Sequence, residues 1–171
     1  MTKGDVVSAG VPYFASVDSG LLYVGLRSGG TGRTVTFNLV SAGITPNAWH
    51  HLAASFDGGT RILTVYIDGV QRAQGALTSG STTNNLPLIV GRSGTVGDYW
   101  LGKVDDLWVW NVVRTGTQIV ANYQTEIGPT AGLVGDWHFN EGSGTTAADS
   151  TTPAESFTLL GGAGWSNDVH P

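Results

Sequence analysis

Asp105-Asp106 is the closest this sequence comes to a paired-carboxylate motif, and its spacing is wrong for the chemistry. Cleaving a glycosidic bond needs two carboxyl groups facing one cleft. Neighbours on a strand point to opposite faces, so these two cannot converge. The three glutamates, Glu126, Glu141 and Glu155, have no acidic partner two residues away. Neither a Gly-x-Ser-x-Gly elbow, a glycine-rich loop ending in Lys-Ser or Lys-Thr, nor a His-Glu-x-x-His pair occurs. No catalysis is expected. His50-His51 fails as a metal pair for the same geometric reason, leaving one ring near Trp49 and the other at the surface. His138 reads as a strand residue on the face opposite Trp137 and Phe139, and His170 lies in a tail.

Binding chemistry has more to work with. A sugar site combines an aromatic platform with planar polar groups and acids that accept hydroxyl hydrogens. Asp98-Tyr99-Trp100 follows a glycine-rich loop and Arg92 precedes it. Trp108 and Trp110 alternate with Leu107 and Val109, so the two indoles share one face of a strand. The candidate ligand-binding residues are therefore Arg92, Asp98, Tyr99, Trp100 and Trp108. Asp57 and Asp68 are turn residues whose carboxylates accept backbone hydrogens. Asp105 and Asp106 serve the sheet or an adjoining loop. Glu141 and Asp149 bracket a small polar loop with enough oxygens to tie itself together.

Composition narrows the field. The chain has 171 residues, 26 of them glycine, with 40% hydrophobic and only 12% charged residues. That suits one domain of strands joined by tight turns, with a real core. A net charge of −5 argues against nucleic acid, because nothing neutralises a run of phosphates. No apolar stretch approaches the roughly 20 residues that span a bilayer, so membrane insertion is not expected. The first residues lack the apolar middle of a signal peptide. Zero cysteines exclude disulfides and thiolate zinc sites.

Strands are expected at residues 21–26 and 34–40 around a glycine-rich hairpin, with Val35, Phe37 and Leu39 on one face. Trp49 to Phe56 is extended, and Asp57-Gly58-Gly59-Thr60 reverses the chain. Ile62–Ile67 is the clearest strand, ending at Asp68-Gly69, a pair suited to a type I′ turn before Val70 to Ala73 returns. Further strands are expected at 86–92, 103–110, 133–139 and 156–160. Thr115 and Gln118 form a capping-box pattern for one short helix over about 116–124, stopped by Gly128-Pro129. Many antiparallel strands with one helix predict an all-β, two-sheet β-sandwich.

The pieces Trp49-His50-His51-Leu52-Ala53, Leu63 to Gly69, Ile89-Val90-Gly91-Arg92 and Gly102 to Leu107, followed by the helix, resemble the laminin-G-like jelly rolls, which include bacterial, concanavalin A-like and pentraxin-like domains. The resemblance implies an antiparallel jelly-roll sandwich. The stretch from Gly132 to Gly144 is similar to the segment that usually opens such a domain, yet here it comes last. Either it begins a following domain of a tandem array or it closes this one. The second is preferred, because a detached strand pair would leave Trp137, Phe139, Phe157 and Trp165 without a core. Residues 1–171 are thus read as a single domain, with 132–165 completing the sandwich. The family's usual N-terminal strands have no counterpart before Lys3-Gly4. A second copy is expected to supply the missing surface, as a homodimer or by strand exchange.

The resemblance also implies a function: a non-catalytic carbohydrate-binding or adhesion module of a secreted or surface protein, contacting a glycan or cell-surface polysaccharide. The alternatives are a purely structural spacer in a multidomain chain and a remnant of a glycoside hydrolase. The aliphatic positions of the family pattern imply that Leu107 and Val109 lie between the sheets and Trp108 and Trp110 on an outer face. The alternative is that the helix covers them, with Ile119 and Tyr123 packing on Trp110. Pentraxin relatives hold calcium with acids on two loops. The first would fall at Ser8–Pro12, which has no acid, with Asp5 the nearest; the second keeps only Asp98. No cofactor is firmly implied, and a structural calcium ion elsewhere stays open.

Overall fold

The computed structural model describes residues 2–3, 13–28, 31–77, 87–92 and 99–168. Asp5, the loop Ser8–Pro12 and Asp98 lie outside them. The chain divides into two compact units, Met1–Leu101 and Gly102–Pro171.

In the first unit, alternating apolar residues build two antiparallel sheets. Strands β1 (Thr2–Lys3), β2 (Tyr13–Asp18), β3 (Leu21–Ser28), β4 (Thr31–Asn38) and β8 (Leu88–Ile89) form one, in the order β4-β3-β2-β1-β8. Strands β5 (Leu52–Asp57), β6 (Ile62–Ile67) and β7 (Val70–Ala76) form the other. Val24 pairs with Val35, and Leu22 with Phe37, so each pair shares a face. Leu22, Val24, Leu26 and Val35 from the larger sheet pack with Leu63, Val65, Ile67 and Leu77 in one buried cluster. Tyr13, Ala15, Phe37, Leu39 and Phe56 extend it. Burying each such side chain contributes about 1.5–3 kcal/mol, which fixes the register: a one-residue slip would turn this face to water.

Turn chemistry follows the sequence closely. Asp68 (φ 52°) and Gly69 (φ 72°) occupy the left-handed region, as a type I′ turn demands. The Asp68 carboxylate then ties the strand end together, accepting the His51 backbone N–H at 3.0 Å and meeting His50 Nδ1 at 2.9 Å. His50 Nε2 lies 3.1 Å from the Thr45 carbonyl. Both ring nitrogens of His50 thus serve structure. Asp57 Oδ1 accepts the N–H groups of Gly59 and Thr60 at 2.8 and 3.3 Å.

The second unit pairs β9 (Leu107–Trp110) with β10 (Leu133–Trp137), and β11 (Thr146–Ala147) with β12 (Phe157–Thr158). Helix α1 spans Gly116–Asn122 and carries the full capping box of Thr115 and Gln118. Leu133, Trp137, Ala147 and Ile119 are buried. Trp137 packs on Phe157 with ring centroids 4.6 Å apart, and its indole N–H donates to the Glu155 carbonyl at 3.0 Å. Phe139 stacks on the same Phe157 at 6.4 Å. Trp137, Phe139 and Phe157 therefore pack on one another.

Several strands differ from expectation. The one expected over 103–110 begins only at Leu107, because Asp106 takes a left-handed φ of 44° that breaks the pleat. The one expected over 133–139 stops at Trp137, and Phe139 turns left-handed at φ 57°. The strands at 86–92 and 156–160 shorten to Leu88–Ile89 and Phe157–Thr158. Among the described residues no helix is long and apolar enough to cross a membrane.

Candidate functional site

Among the described residues two candidate places stand out, one in each unit. In the first unit, Arg92 and Tyr99 face each other as an isolated antiparallel bridge. The Trp100 backbone N–H donates to the Gly91 carbonyl at 2.8 Å, continuing that pairing. Backbone pairing holds the segment while its rings stay in water: Tyr99 is 62% and Trp100 50% exposed. Directly opposite residues of a bridge share a face, so the exposed Tyr99 ring and the Arg92 side chain form a surface that can stack on an apolar ring face and bond its polar edge. Trp100, the next residue, points to the other face. Asp98, the acid expected to join them, is outside the described residues.

Trp108 belongs to the second unit and is half-buried in β9. It stands directly across from Asp136 on β10 in the antiparallel register, so the two side chains share a face. Trp110 is covered by Arg114, whose guanidinium carbon lies 3.9 Å from the ring centroid. Arg114 in turn donates to Asn122 of the helix at 2.9 Å.

That face of the second unit holds a cluster of interacting titratable groups. Asp136 is fully buried, and neither of its carboxylate oxygens makes a well-formed hydrogen bond. Burial pushes its pKa above the ordinary carboxylate value, with the His138 imidazole and the Trp108 indole offsetting part of that penalty. His138 stands two residues further on and bridges two acids. Its Nε2 lies 3.3 Å from Asp136 Oδ2, and its Nδ1 lies 3.0 Å from Asp106 Oδ1. Burial disfavours the charged ring, but the Asp106 hydrogen bond and the charges of Asp136, Asp106 and Glu126 outweigh it, and the pKa rises. Glu126 Oε1 is 3.9 Å from the same Nδ1 and accepts from the Asn140 amide at 3.0 Å. A shallow cavity of about 310 Å³ opens beside the ring, lined by His138, Asn140, Glu141, Ala148 and Ser150.

Sequence reasoning did not assemble this cluster. It compared neighbours and acids within one strand, whereas Asp106 and His138 meet just beyond the paired ends of β9 and β10. The alternation Asp136-x-His138 was the signal that could have found it. Around the cavity, the Glu141–Asp149 loop ties itself together as expected. Glu141 Oε1 accepts the Ala148 N–H at 2.7 Å. Asp149 accepts three backbone N–H groups, from Asp136, Thr151 and Glu155, at 2.9–3.0 Å.

Comparison with known proteins agrees with this architecture. A solved structure of a candidate carbohydrate-binding protein from Bacteroides ovatus superposes with a TM-score of 0.60 at 19% identity, over 98% of this chain and 54% of that one. Pappalysin-1 of Mus musculus is 32% identical over 85 residues, which is 47% of this chain and 5% of that protein. The chain thus spans about half the length of the solved neighbour and a small part of the curated relative. The family model of the concanavalin A-like lectin/glucanases superfamily matches residues 3–120. With its antiparallel sheets, single short helix among the described residues and this match over most of its length, the chain belongs to the concanavalin A-like lectin/glucanases superfamily, in its laminin-G-like branch.

Proposed function

We propose that the chain is a non-catalytic carbohydrate-binding module of a secreted or surface protein, with the segment around Arg92, Asp98, Tyr99 and Trp100 as its glycan contact. The observation that carries this reading is the exposed Tyr99 ring across a backbone bridge from Arg92, with the exposed Trp100 next to it in the chain. A structural neighbour described as a candidate carbohydrate-binding protein supports the same class. Catalysis is disfavoured by the position of Asp136: its carboxyl is pushed toward the protonated form by burial, but it is fully buried and out of a substrate's reach. Replacing Tyr99 or Trp100 by Ala is expected to weaken affinity for a retained polysaccharide about tenfold each, the equivalent of roughly 1.4 kcal/mol of lost stacking. Both side chains are half or more exposed, so the fold should survive either change. Unchanged affinity in the Tyr99 and Trp100 variants would remove the site from the proposal.

The same reading makes residues 1–171 one sandwich, with 132–165 closing it. The near-complete match to a single solved neighbour supports this. Thermal or denaturant unfolding is then expected as one cooperative transition, coincident by tryptophan fluorescence and far-UV circular dichroism. Two separated transitions would mean that the units fold independently.

A further inference from the structure

Asp106, Glu126 and His138 each bring a ligand atom to within 4.8 Å of the others. We propose that these three residues form a binding site for a zinc-like divalent transition-metal ion, with Asp136 as the positioning carboxylate behind His138. The spacing fits such an ion. His138 Nδ1 is 3.0 Å from Asp106 Oδ1 and 3.9 Å from Glu126 Oε1, bracketing the edge of about 3.3 Å of a tetrahedron with bonds near 2.0–2.1 Å.

The surroundings argue for a ligand independently of the cluster itself. A metal-bound histidine characteristically donates its second ring N–H to a carboxylate, which fixes the tautomer and ring orientation. Asp136 supplies that carboxylate: it is fully buried, its oxygens lack well-formed hydrogen bonds, and Oδ2 stands 3.3 Å from His138 Nε2. With the proton on Nε2, the Nδ1 lone pair faces the oxygens of Asp106 and Glu126, an arrangement that a cation between them stabilises. Glu126 is itself tethered by the Asn140 amide at 3.0 Å. His138 and Asn140 both line the 310 Å³ cavity, so the histidine side of the cluster opens onto it.

One imidazole and two carboxylates also specify the ion. Calcium takes six to eight oxygens, whereas a nitrogen ligand in a compact three-residue set suits zinc and its neighbours. None of these residues lies on the loops where a pentraxin-type calcium site was sought.

Titrating the chelator-stripped full-length chain with zinc chloride by calorimetry tests this. One saturable event near 1:1 is expected, weakened at least tenfold in Asp106→Asn and in Glu126→Gln, and not competed by a hundredfold excess of calcium. Glu126 is 58% exposed, so its variant should keep the fold and decides the matter alone if Asp106→Asn does not fold. No saturable zinc binding, equal affinity in Glu126→Gln, or displacement by calcium would overturn the assignment.

Discussion

Asp149→Ala is expected to lower the stability of the chain by roughly 3 kcal/mol, since each buried backbone donor left without its acceptor costs about 1–3 kcal/mol. Asp149 is 7% exposed and accepts from the N–H groups of Asp136, Thr151 and Glu155. It thereby joins β10 to the loop that follows β11. Burial alone would raise its pKa, but these three donors outweigh it and hold the carboxyl below its ordinary value. The sign of the pH dependence follows. A depressed folded-state pKa contributes stability above the unfolded-state value, and that contribution is lost as pH falls through the folded one. Asp149→Asn keeps an oxygen for Asp136 and Thr151 but turns an amide toward the Glu155 N–H, so it should lose about half as much. Denaturant unfolding at neutral pH should separate wild type from both variants, with the gap narrowing in acid below the ordinary carboxylate range. A constant gap across that range would place the effect elsewhere.

Gly135→Ala should be comparably damaging for a steric reason. A Cβ at Gly135 would lie 2.3 Å from Cη2 and 2.5 Å from Cζ3 of Trp137, well inside contact distance. The ring has little room to yield. Trp137 is 5% exposed, packed on Phe157 and hydrogen-bonded to Glu155. Overpacking of this kind costs about 1–3 kcal/mol. Losing the indole hydrogen bond adds about 1 kcal/mol. A melting point lower by roughly 6–12 °C is expected for a chain of this size. A change within 1 °C would show that the indole can swing aside freely.

Local signals in the sequence carried most of the first unit. Asp68-Gly69 specifies its turn through backbone conformation alone, and Ile62–Ile67 spells out its buried face by alternation. Thr115 and Gln118 announce the helix start within four residues, while the helix ends two residues before the expected position. The two-residue strands β1 and β11 escaped notice because elements so short carry no period. Strand β2 also escaped: only its first half packs inward, so the alternation is weak. Asp106 misled for another reason. Its left-handed φ is imposed by the chain around it, and nothing in Val104-Asp105-Asp106-Leu107 marks a strand that must start late.

The candidate sites divide in the same way. The Arg92–Tyr99–Trp100 segment was legible because aromatic residues after a glycine-rich loop stand out in any register. The Asp106–His138 contact depends on the pairing of two strands more than twenty residues apart, which only the fold defines. His138 was expected on a strand, but β10 ends at Trp137, and the partners of His138 are Asp136 on that strand and Asp106 and Glu126 outside any strand.

Affinity electrophoresis of the wild-type chain through gels containing a panel of plant, algal and microbial polysaccharides tests the central claim most directly. A glycan-recognising module should migrate more slowly in at least one of them, in proportion to polysaccharide concentration, while Tyr99→Ala and Trp100→Ala recover the unretarded mobility. Identical mobility in every gel, with the chain folded, would contradict carbohydrate recognition and leave the spacer role in its place.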